Sequence, residues 1–258
     1  MLGFLENLSS GGLIITLMCV MVCGPFLELI LRRRMLQRWF KSSDSIVSYV
    51  QMLTVFYGLL LGLVAIDLWQ KQDAAELNAI AESDQVRILD GLAQYFPRGD
   101  AGVVSVALGD YTQAVIKKEW PNMLTGNAGV MFEASPGLDL VRDTIMDLPV
   151  TTMKQQALME QMLTSYNSIV QDRQQRLLDS ERRLPAVLWI VLLLGAVFIW
   201  VATWFIPSQY LRSQLLLSSI TSGYLYLLVY LVVVLEHPFI GAWRVDATTF
   251  QHVLQTFH

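Results

Sequence analysis

Four long apolar runs constrain this chain more than any other feature, because each has close to the length that a helix needs to cross a bilayer. They occupy residues 13–31, 46–68, 186–206 and 215–235. Roughly 20 apolar residues span the hydrocarbon core as an α-helix. The composition agrees, since 54% of residues are hydrophobic and 16% are charged, whereas soluble domains carry about 25% charged residues. The sequence therefore predicts an integral membrane protein with four transmembrane helices.

The remaining composition argues against several function classes. The formal net charge is −4, so the chain lacks the basic surface that nucleic-acid binding requires. Cys19 and Cys23 lie in one apolar run and form neither a disulfide framework nor a zinc motif. The chain has no nucleophile-elbow, phosphate-loop, zinc-protease or dinucleotide-binding motif. We therefore expect no enzyme activity, no cofactor, no bound metal and no nucleic-acid partner.

The segment between the second and third runs has ordinary polarity and a helical pattern. Mostly apolar residues spaced by three or four form three stripes: Leu77, Ile80, Ala81, Asp84, Ile88 and Leu92, in which Asp84 interrupts the apolar pattern; Val104, Ala107, Tyr111, Ala114 and Val115; and Met159, Met162, Tyr166, Ile169, Arg173 and Leu177. No Gly or Pro occurs between Leu63 and Asp90, so the second transmembrane helix is predicted to continue outward as one long helix. A return helix is predicted from Thr151 to Pro185.

These patterns predict an all-α integral membrane protein in which two pairs of transmembrane helices flank an extramembrane helical domain on long stalk helices. The predicted boundaries are 1–69 for the first helix pair with its basic loop, 70–184 for the helical domain, 185–236 for the second helix pair and 237–258 for a C-terminal tail. Arg32, Arg33 and Arg34 follow the first run directly. Because cytoplasmic loops are enriched in Lys and Arg, we expect that loop in the cytoplasm and the helical domain on the outer side.

Four stretches carry a resemblance to the bacterial bestrophin-like family. They are Phe56 to Gly62 with Trp69; Tyr111 and Val115 followed by Glu119, Trp120 and Pro121; Arg173, Arg176 and Leu177 followed by Leu184, Pro185 and Trp189; and Pro238, Phe239, Ile240 and Gly241. The family usually has an acidic and a basic residue before that last Pro, and Glu236 and His237 fill these places. The resemblance covers residues 47–250.

The resemblance implies paired transmembrane helices flanking a helical domain, in the inner membrane of a bacterium. Bestrophins proper are pentameric anion channels whose second transmembrane helix lines a hydrophobic neck, so the resemblance also implies a homo-oligomer, by analogy a pentamer, with an inorganic ion as a partner besides lipid. Two features depart from bestrophins. Their helical domain is cytosolic, whereas the charge count here places it outside, and their calcium-binding acidic run has no clear counterpart.

The second apolar run has two distinct faces. Phe56, Leu60, Leu63 and Asp67 share one side and are the candidate pore lining, with Phe56 and Leu60 as an apolar constriction that gates by dewetting. The alternative is that these residues face lipid or other helices. A ring of Asp67 carboxylates favours cations, which leaves open whether a pore would select anions or cations.

Small residues mark the candidate packing surfaces. Gly58 and Gly62 form a pattern that lets a neighbouring helix approach closely, and Ser218 and Ser222 suit hydrogen-bonded packing of the fourth span. The serines could alternatively line a wet path. Glu28, near the end of the first run, is expected to pair with Arg32 one turn later, although ionisable groups within spans are often functional.

Two functions are compatible with these features. The first is a homo-oligomeric channel or channel-like protein with the second span near the axis, which conducts ions passively. The second is a membrane-anchored sensor or interaction protein, in which the helical domain binds a partner and the spans only hold it in place.

Overall fold

The computed structural model of the chain describes residues 10–35, 44–125, 135–204, 210–241 and 243–257. Within these residues the fold is entirely helical and contains no strand. The helices are α1 (Ser10–Met35), α2 (Asp44–Ala93), α3 (Arg98–Ala114), a π-helical turn (Val115–Glu119), α4 (Trp120–Leu124), α5 (Pro136–Met146), α6 (Met153–Glu181), α7 (Ala186–Thr203), α8 (Leu211–Glu236) and α9 (Thr248–Gln255).

Three helical stretches of the described residues are long and apolar enough to cross a membrane. They are Val47–Ala93, Met153–Thr203 and Leu211–Glu236. The first predicted run lies in α1, whose apolar part Ile14–Ile30 is a shorter helix. The helical, membrane-protein character predicted from the sequence is therefore confirmed, and three of the four runs meet the length criterion. The side chains of Arg32, Arg33 and Arg34 lie outside the described residues.

The chain divides into two compact units. The membrane unit comprises the described residues up to Trp69 together with Arg183–Glu236, and the helical unit comprises Gln70–Arg182 with the C-terminal segment from His237. Helix α2 is continuous from Asp44 to Ala93 and contributes to both units. No Gly or Pro occurs between Leu63 and Asp90, which is consistent with this continuity because both residues tend to break helices.

The core of the membrane unit is built on one face of α2. Tyr57, Leu61, Val64 and Leu68 step by four, three and four residues and are all buried, as expected for one side of an α-helix. They pack with residues of α7 and α8, among them Leu192. The Tyr57 hydroxyl donates a 3.1 Å hydrogen bond to the Leu192 carbonyl, which satisfies a polar group that would otherwise be buried unpaired.

The core of the helical unit joins α2, α3, α5, α6 and α9. Two of the three predicted stripes are confirmed: Val104, Ala107, Tyr111 and Val115 are buried, as are Met162, Ile169, Arg173 and Leu177. The stripe predicted on α2 is wrong, since Leu77 and Ile88 are exposed by 57% and 42%. The buried face of α2 in this unit is instead Ala75, Ala79, Glu82, Val86 and Leu89.

The return helix α6 begins and ends as local sequence dictates. Thr152 caps its N-terminus, where the hydroxyl accepts from the Gln155 N–H and the Gln155 side chain accepts from the Thr152 N–H, a reciprocal capping box. The helix ends at Glu181, and Pro185 occupies the N-cap of α7. Proline suits this position because its fixed φ is compatible with a helix start and no N–H is lost from the helix interior.

The C-terminal segment folds into the helical unit. Phe239 and Phe250 are fully buried in its core. The Val245 N–H donates to the Pro238 carbonyl at 2.8 Å, and Gly241 between them has φ 99°, the left-handed region that favours glycine. Phe239 and Phe250, on either side of Gly241, lie in the same hydrophobic core.

Candidate functional site

The candidate pore lining occupies an edge of α2 that the chain's own helices leave largely uncovered. Phe56 and Leu63 are exposed by 59% and 60%, and Asp67 is also exposed. Leu60 differs, because it is half-buried and packs against the core of the membrane unit. In a single chain this edge is available to lipid, to another copy of the chain or to a water-filled path.

The four candidate packing residues fall into two groups. A Cβ added to Gly58 or Gly62 would meet nothing within 4 Å, so no other helix in the described part of the chain contacts either position closely. Ser218 and Ser222 are buried, and the Ser222 hydroxyl accepts a 2.9 Å hydrogen bond from the Trp200 indole N–H. The serines thus lie inside the helix bundle, whereas the glycines lie on its outer surface.

A buried carboxylate holds the start of α7 against the end of α8. Glu236 is 8% exposed. Its Oε1 accepts hydrogen bonds from the Leu184 N–H at 2.9 Å and from the Trp189 indole N–H at 3.0 Å. Pro185 lies between these two donors in the chain. These hydrogen bonds hold the motif residues Pro185 and Trp189 close to Glu236, the acidic residue before Pro238.

A second buried cluster of charged residues lies in the core of the helical unit, and we call Glu82, Glu119, Arg173, Arg176 and Tyr111 the ion-pair cluster. The fully buried Arg176 guanidinium donates two hydrogen bonds to Glu82, from Nε to Oε2 at 2.7 Å and from Nη2 to Oε1 at 3.0 Å. Its Nη2 also donates to Glu119 Oε2 at 2.8 Å. Arg173 donates to Glu119 Oε1 at 2.8 Å through Nε. Two carboxylates and two guanidinium groups make the cluster electrically balanced.

Glu119 is the last residue of the π-helical turn Val115–Glu119, and its side chain contacts the two arginines of this cluster. The Trp120 N–H bonds to the Val115 carbonyl, five residues back, so the turn contains one residue more than an α-helical turn. Val115, Glu119 and Trp120 are all buried as a result. Pro121 follows at the start of α4, where its missing N–H costs least. Glu119 and Trp120 therefore reach the same core that Arg176 enters from α6.

Aromatic rings also lie next to Arg176 in this cluster. The Arg176 Cζ lies 5.3 Å from the centroid of Trp120 and 5.6 Å from that of Phe250, distances at which a cation is attracted by the ring face. Phe239 meets Trp120 edge to face, with centroids 5.7 Å apart. The motif residues Glu119, Trp120 and Phe239 are thus brought together around Arg176.

The electrostatics of the cluster favour a charged Arg176 and a neutral Tyr111. Burial alone would lower the pKa of Arg176, but Glu82 and Glu119 outweigh it and raise that pKa above its usual range. The Tyr111 hydroxyl donates to Glu82 Oε1 at 2.6 Å. Burial first, and then the charge of Glu82, raises the pKa of Tyr111 well above its ordinary value. Both pKa shifts favour the protonated forms of Arg176 and Tyr111.

A family model described as the Bestrophin-like domain matches residues 18–250 of the chain. The chain belongs to the bestrophin-like family. The matched region contains the second span, the ion-pair cluster and the Glu236 contacts.

Solved structures of bestrophin homologues have the same fold as this bestrophin-like chain. One is a single-substitution variant of a bacterial bestrophin homologue from Klebsiella pneumoniae, with 12% identity and a TM-score of 0.70, covering 95% of this chain and 98% of that chain. A second such variant has 14% identity and a TM-score of 0.65 over the same shares of the two chains. A structure described as a membrane protein has 13% identity and a TM-score of 0.66. No curated protein matches the chain.

Sequence reasoning missed the role of Glu82 in this bestrophin-like chain. The available signal was the step of four, three, four and three along Ala75, Ala79, Glu82, Val86 and Leu89, a helical stripe with one acidic member. An acidic residue at a core position requires a buried partner, and Arg176 supplies it from 94 residues further along the chain.

Proposed function

We propose that this bestrophin-like protein is a homo-oligomeric membrane channel that conducts ions passively, with α2 near the symmetry axis. The supporting observation is the uncovered edge of α2 in a chain that belongs to this family over residues 18–250. Phe56 and Leu63 are large apolar side chains that the chain itself leaves exposed. A pore lined by one helix from each copy requires several copies around an axis, by family analogy five.

The chemistry of this edge supports a pore with an apolar constriction. Phe56 and Leu60 would narrow the path and gate it by dewetting. Asp67, about three turns further along α2, would form a ring of carboxylates that favours cations over anions. The proposed lining is therefore apolar at one level and negatively charged at another.

Replacement of Phe56 tests the proposed constriction. Phe56→Ala should raise the open-state current in planar bilayers, because a smaller side chain widens the neck and lets water remain in it. Phe198→Ala is the matched control, since Phe198 lies on α7 and has the same exposure of 59%. Equal currents from both variants and from the original protein would remove Phe56 from the lining.

The membrane arrangement is a further part of the proposal. We propose four spans in two pairs in the inner membrane, with the long α2 and α6 as stalks and the helical unit on the outer side. A cysteine at Gln156, an exposed residue of α6, should react with a membrane-impermeant maleimide in intact cells after Cys19 and Cys23 are replaced. A cysteine at Lys41 should react only after lysis. The opposite pattern would place the helical unit in the cytoplasm.

The alternative function, a membrane-anchored interaction protein, is favoured by exposed apolar side chains on the helical unit. Tyr95, Val103 and Val106 are exposed by 66%, 58% and 65%. We further propose that neither function involves catalysis, because the buried carboxylates of Glu82 and Glu119 are each occupied by arginine. The oligomeric state separates the two functions, since a single-helix-lined pore requires several copies and an anchor can be monomeric.

A further inference from the structure

The membrane unit buries a carboxyl group at the seam between α1 and α8. Glu28 is 1% exposed, and two polar residues of α8 are also buried there, Ser218 at 1% and Gln214 at 5% exposure. Ionisable groups inside transmembrane bundles are costly and are mostly functional.

The hydrogen bonds of Glu28 are incomplete within the described residues. Its Oε1 accepts from the Gln214 Nε2 at 2.8 Å. Its Oε2 and the Ser218 Oγ are both buried, and neither has a hydrogen-bond partner in the described part of the chain. A buried polar atom without a partner requires a physical explanation, and a bound water or ion is one such explanation.

The two unpartnered oxygens lie on helices that pack closely. A Cβ on Gly24 of α1 would lie 2.9 Å from the Cβ of Ser222 on α8. Glu28 follows Gly24 by one turn and Ser218 precedes Ser222 by one turn, so both lie on the facing surfaces of the two helices. The contact between Glu28 and Gln214 continues the same seam.

Among the described residues, the side chain that hydrogen-bonds Glu28 is a neutral amide. The Gln214 Nε2 also lies 3.4 Å from the carbonyl of Thr203, the last residue of α7. A helix C-terminus carries a partial negative charge, so a carboxylate and a negative helix end share one neutral amide donor. Arg212 on α8 is exposed, and the side chain of Arg32 lies outside the described residues.

We propose that this seam binds a monovalent metal cation of the sodium class, with Glu28 Oε2 and Ser218 Oγ among its oxygen ligands. A monovalent ion balances the single carboxylate, whereas calcium takes six to eight oxygens and several carboxylates. This site is separate from the α2 edge proposed as the pore lining, and its test does not depend on conduction.

The test measures thermal unfolding of the full-length protein in lipid nanodiscs. Sodium chloride is compared with N-methylglucamine chloride at constant pH and ionic strength. A ligand that binds only the folded state at 100 times its Kd should raise Tm by roughly 5–10 °C. The original protein should show this rise, and Glu28→Gln should lose it. Glu181→Gln, at an exposed carboxylate, is the matched control and should keep the rise.

Radioactive sodium binding provides a second measurement that tolerates a poorly folded Glu28 variant. Ser218→Ala keeps the carboxylate and removes one ligand, so it should weaken sodium binding several-fold. Equal Tm in both salts would overturn the proposal, as would a sodium-dependent rise that persists in Glu28→Gln. If acidification raises Tm as much as sodium does and the two do not compete, the site binds a proton. If Tm depends on sodium only in Arg32→Gln, Arg32 supplies the neutralising charge in the original protein. Both results would also overturn the proposal.

Discussion

Removal of the Arg176 guanidinium should destabilise the helical unit strongly. Arg176→Met keeps most of the side-chain volume and removes the positive charge. Glu82 then loses both of its arginine bonds, of 2.7 and 3.0 Å, and keeps only the hydroxyl of Tyr111. Glu119 keeps Arg173. The variant therefore leaves one buried carboxylate without a cation.

The size of this effect follows from the burial of the pair. Arg176 and Glu82 have side-chain exposures of 0% and 0%, so solvent screens neither charge. Breaking a buried ion pair by removing one partner costs about 3–5 kcal/mol. For a protein of this size each kcal/mol lowers Tm by roughly 2–4 °C, which gives a decrease of roughly 6–20 °C.

The assay is thermal unfolding of the full-length protein followed by tryptophan fluorescence. Asp84→Asn is the matched control on the same helix, because its pair with Arg87 is exposed by 50% and 64% and should contribute about 0–1 kcal/mol. The double variant Glu82→Leu with Arg176→Met should recover part of the loss, since it leaves no uncompensated charge at Glu82. A Tm for Arg176→Met no lower than that of the control would refute the reasoning.

Two further predictions concern packing and pH. Gly24→Ala should lower Tm, because the new Cβ would lie 2.9 Å from the Cβ of Ser222 and overpacking costs about 1–3 kcal/mol. The control is Gly91→Ala, which should not lower Tm because a Cβ there meets nothing within 4 Å. Equal losses of Tm in the two variants would contradict the close approach at Gly24. The raised pKa of Tyr111 means that the folded state keeps this proton after the unfolded chain loses it near pH 10. The stability that Tyr111 contributes is therefore complete below about pH 10 and is lost as pH rises towards the folded pKa. Tyr111→Phe should show a smaller decrease in Tm at alkaline pH than the original protein. Identical profiles of Tm against pH for the two proteins would exclude this role.

The membrane character and much of the helical pattern were predictable from sequence, because they depend on local composition. A bilayer requires long apolar helices, and the four runs stand out in any window of the chain. The stripe along Met162, Ile169, Arg173 and Leu177 was also readable, since most of its members are apolar. Helix starts at Thr152 and Pro185 follow from local capping chemistry.

The ion-pair cluster could not be assembled from sequence because its partners are distant in the chain. The core stripe of α2 contains two alanines and Glu82, which carry a weak hydrophobic signal, whereas Leu77 and Ile88 suggested a different face. The partner that balances the buried charge of Glu82 is Arg176, which lies 94 residues further along the chain. Similarly, the hydrogen bond from Gln214 to Glu28 joins residues 186 positions apart. The expected pair of Glu28 with Arg32 stays a prediction, because the Arg32 side chain lies outside the described residues.

The edge of α2 shows a different limit of sequence reasoning. The sequence distinguished a glycine face and a Phe56 face along α2, whereas the buried face contains Tyr57 and Leu61. What lies against Phe56 and Leu63 depends on contacts outside a single chain, either with lipid or with further copies. Neither the periodicity of α2 nor its packing within one chain distinguishes these neighbours, because exposed apolar side chains suit both.

Ion flux from liposomes that contain the purified, folded protein is the most direct test of the proposed channel. We expect a passive current whose reversal potential in unequal salt indicates cation preference, and Asp67→Asn should reduce that preference by removing the carboxylate ring. Absence of flux from correctly inserted protein would contradict the channel and favour the anchored interaction protein. A current whose reversal potential is unchanged in Asp67→Asn would retain a pore but contradict the proposed selectivity ring of Asp67.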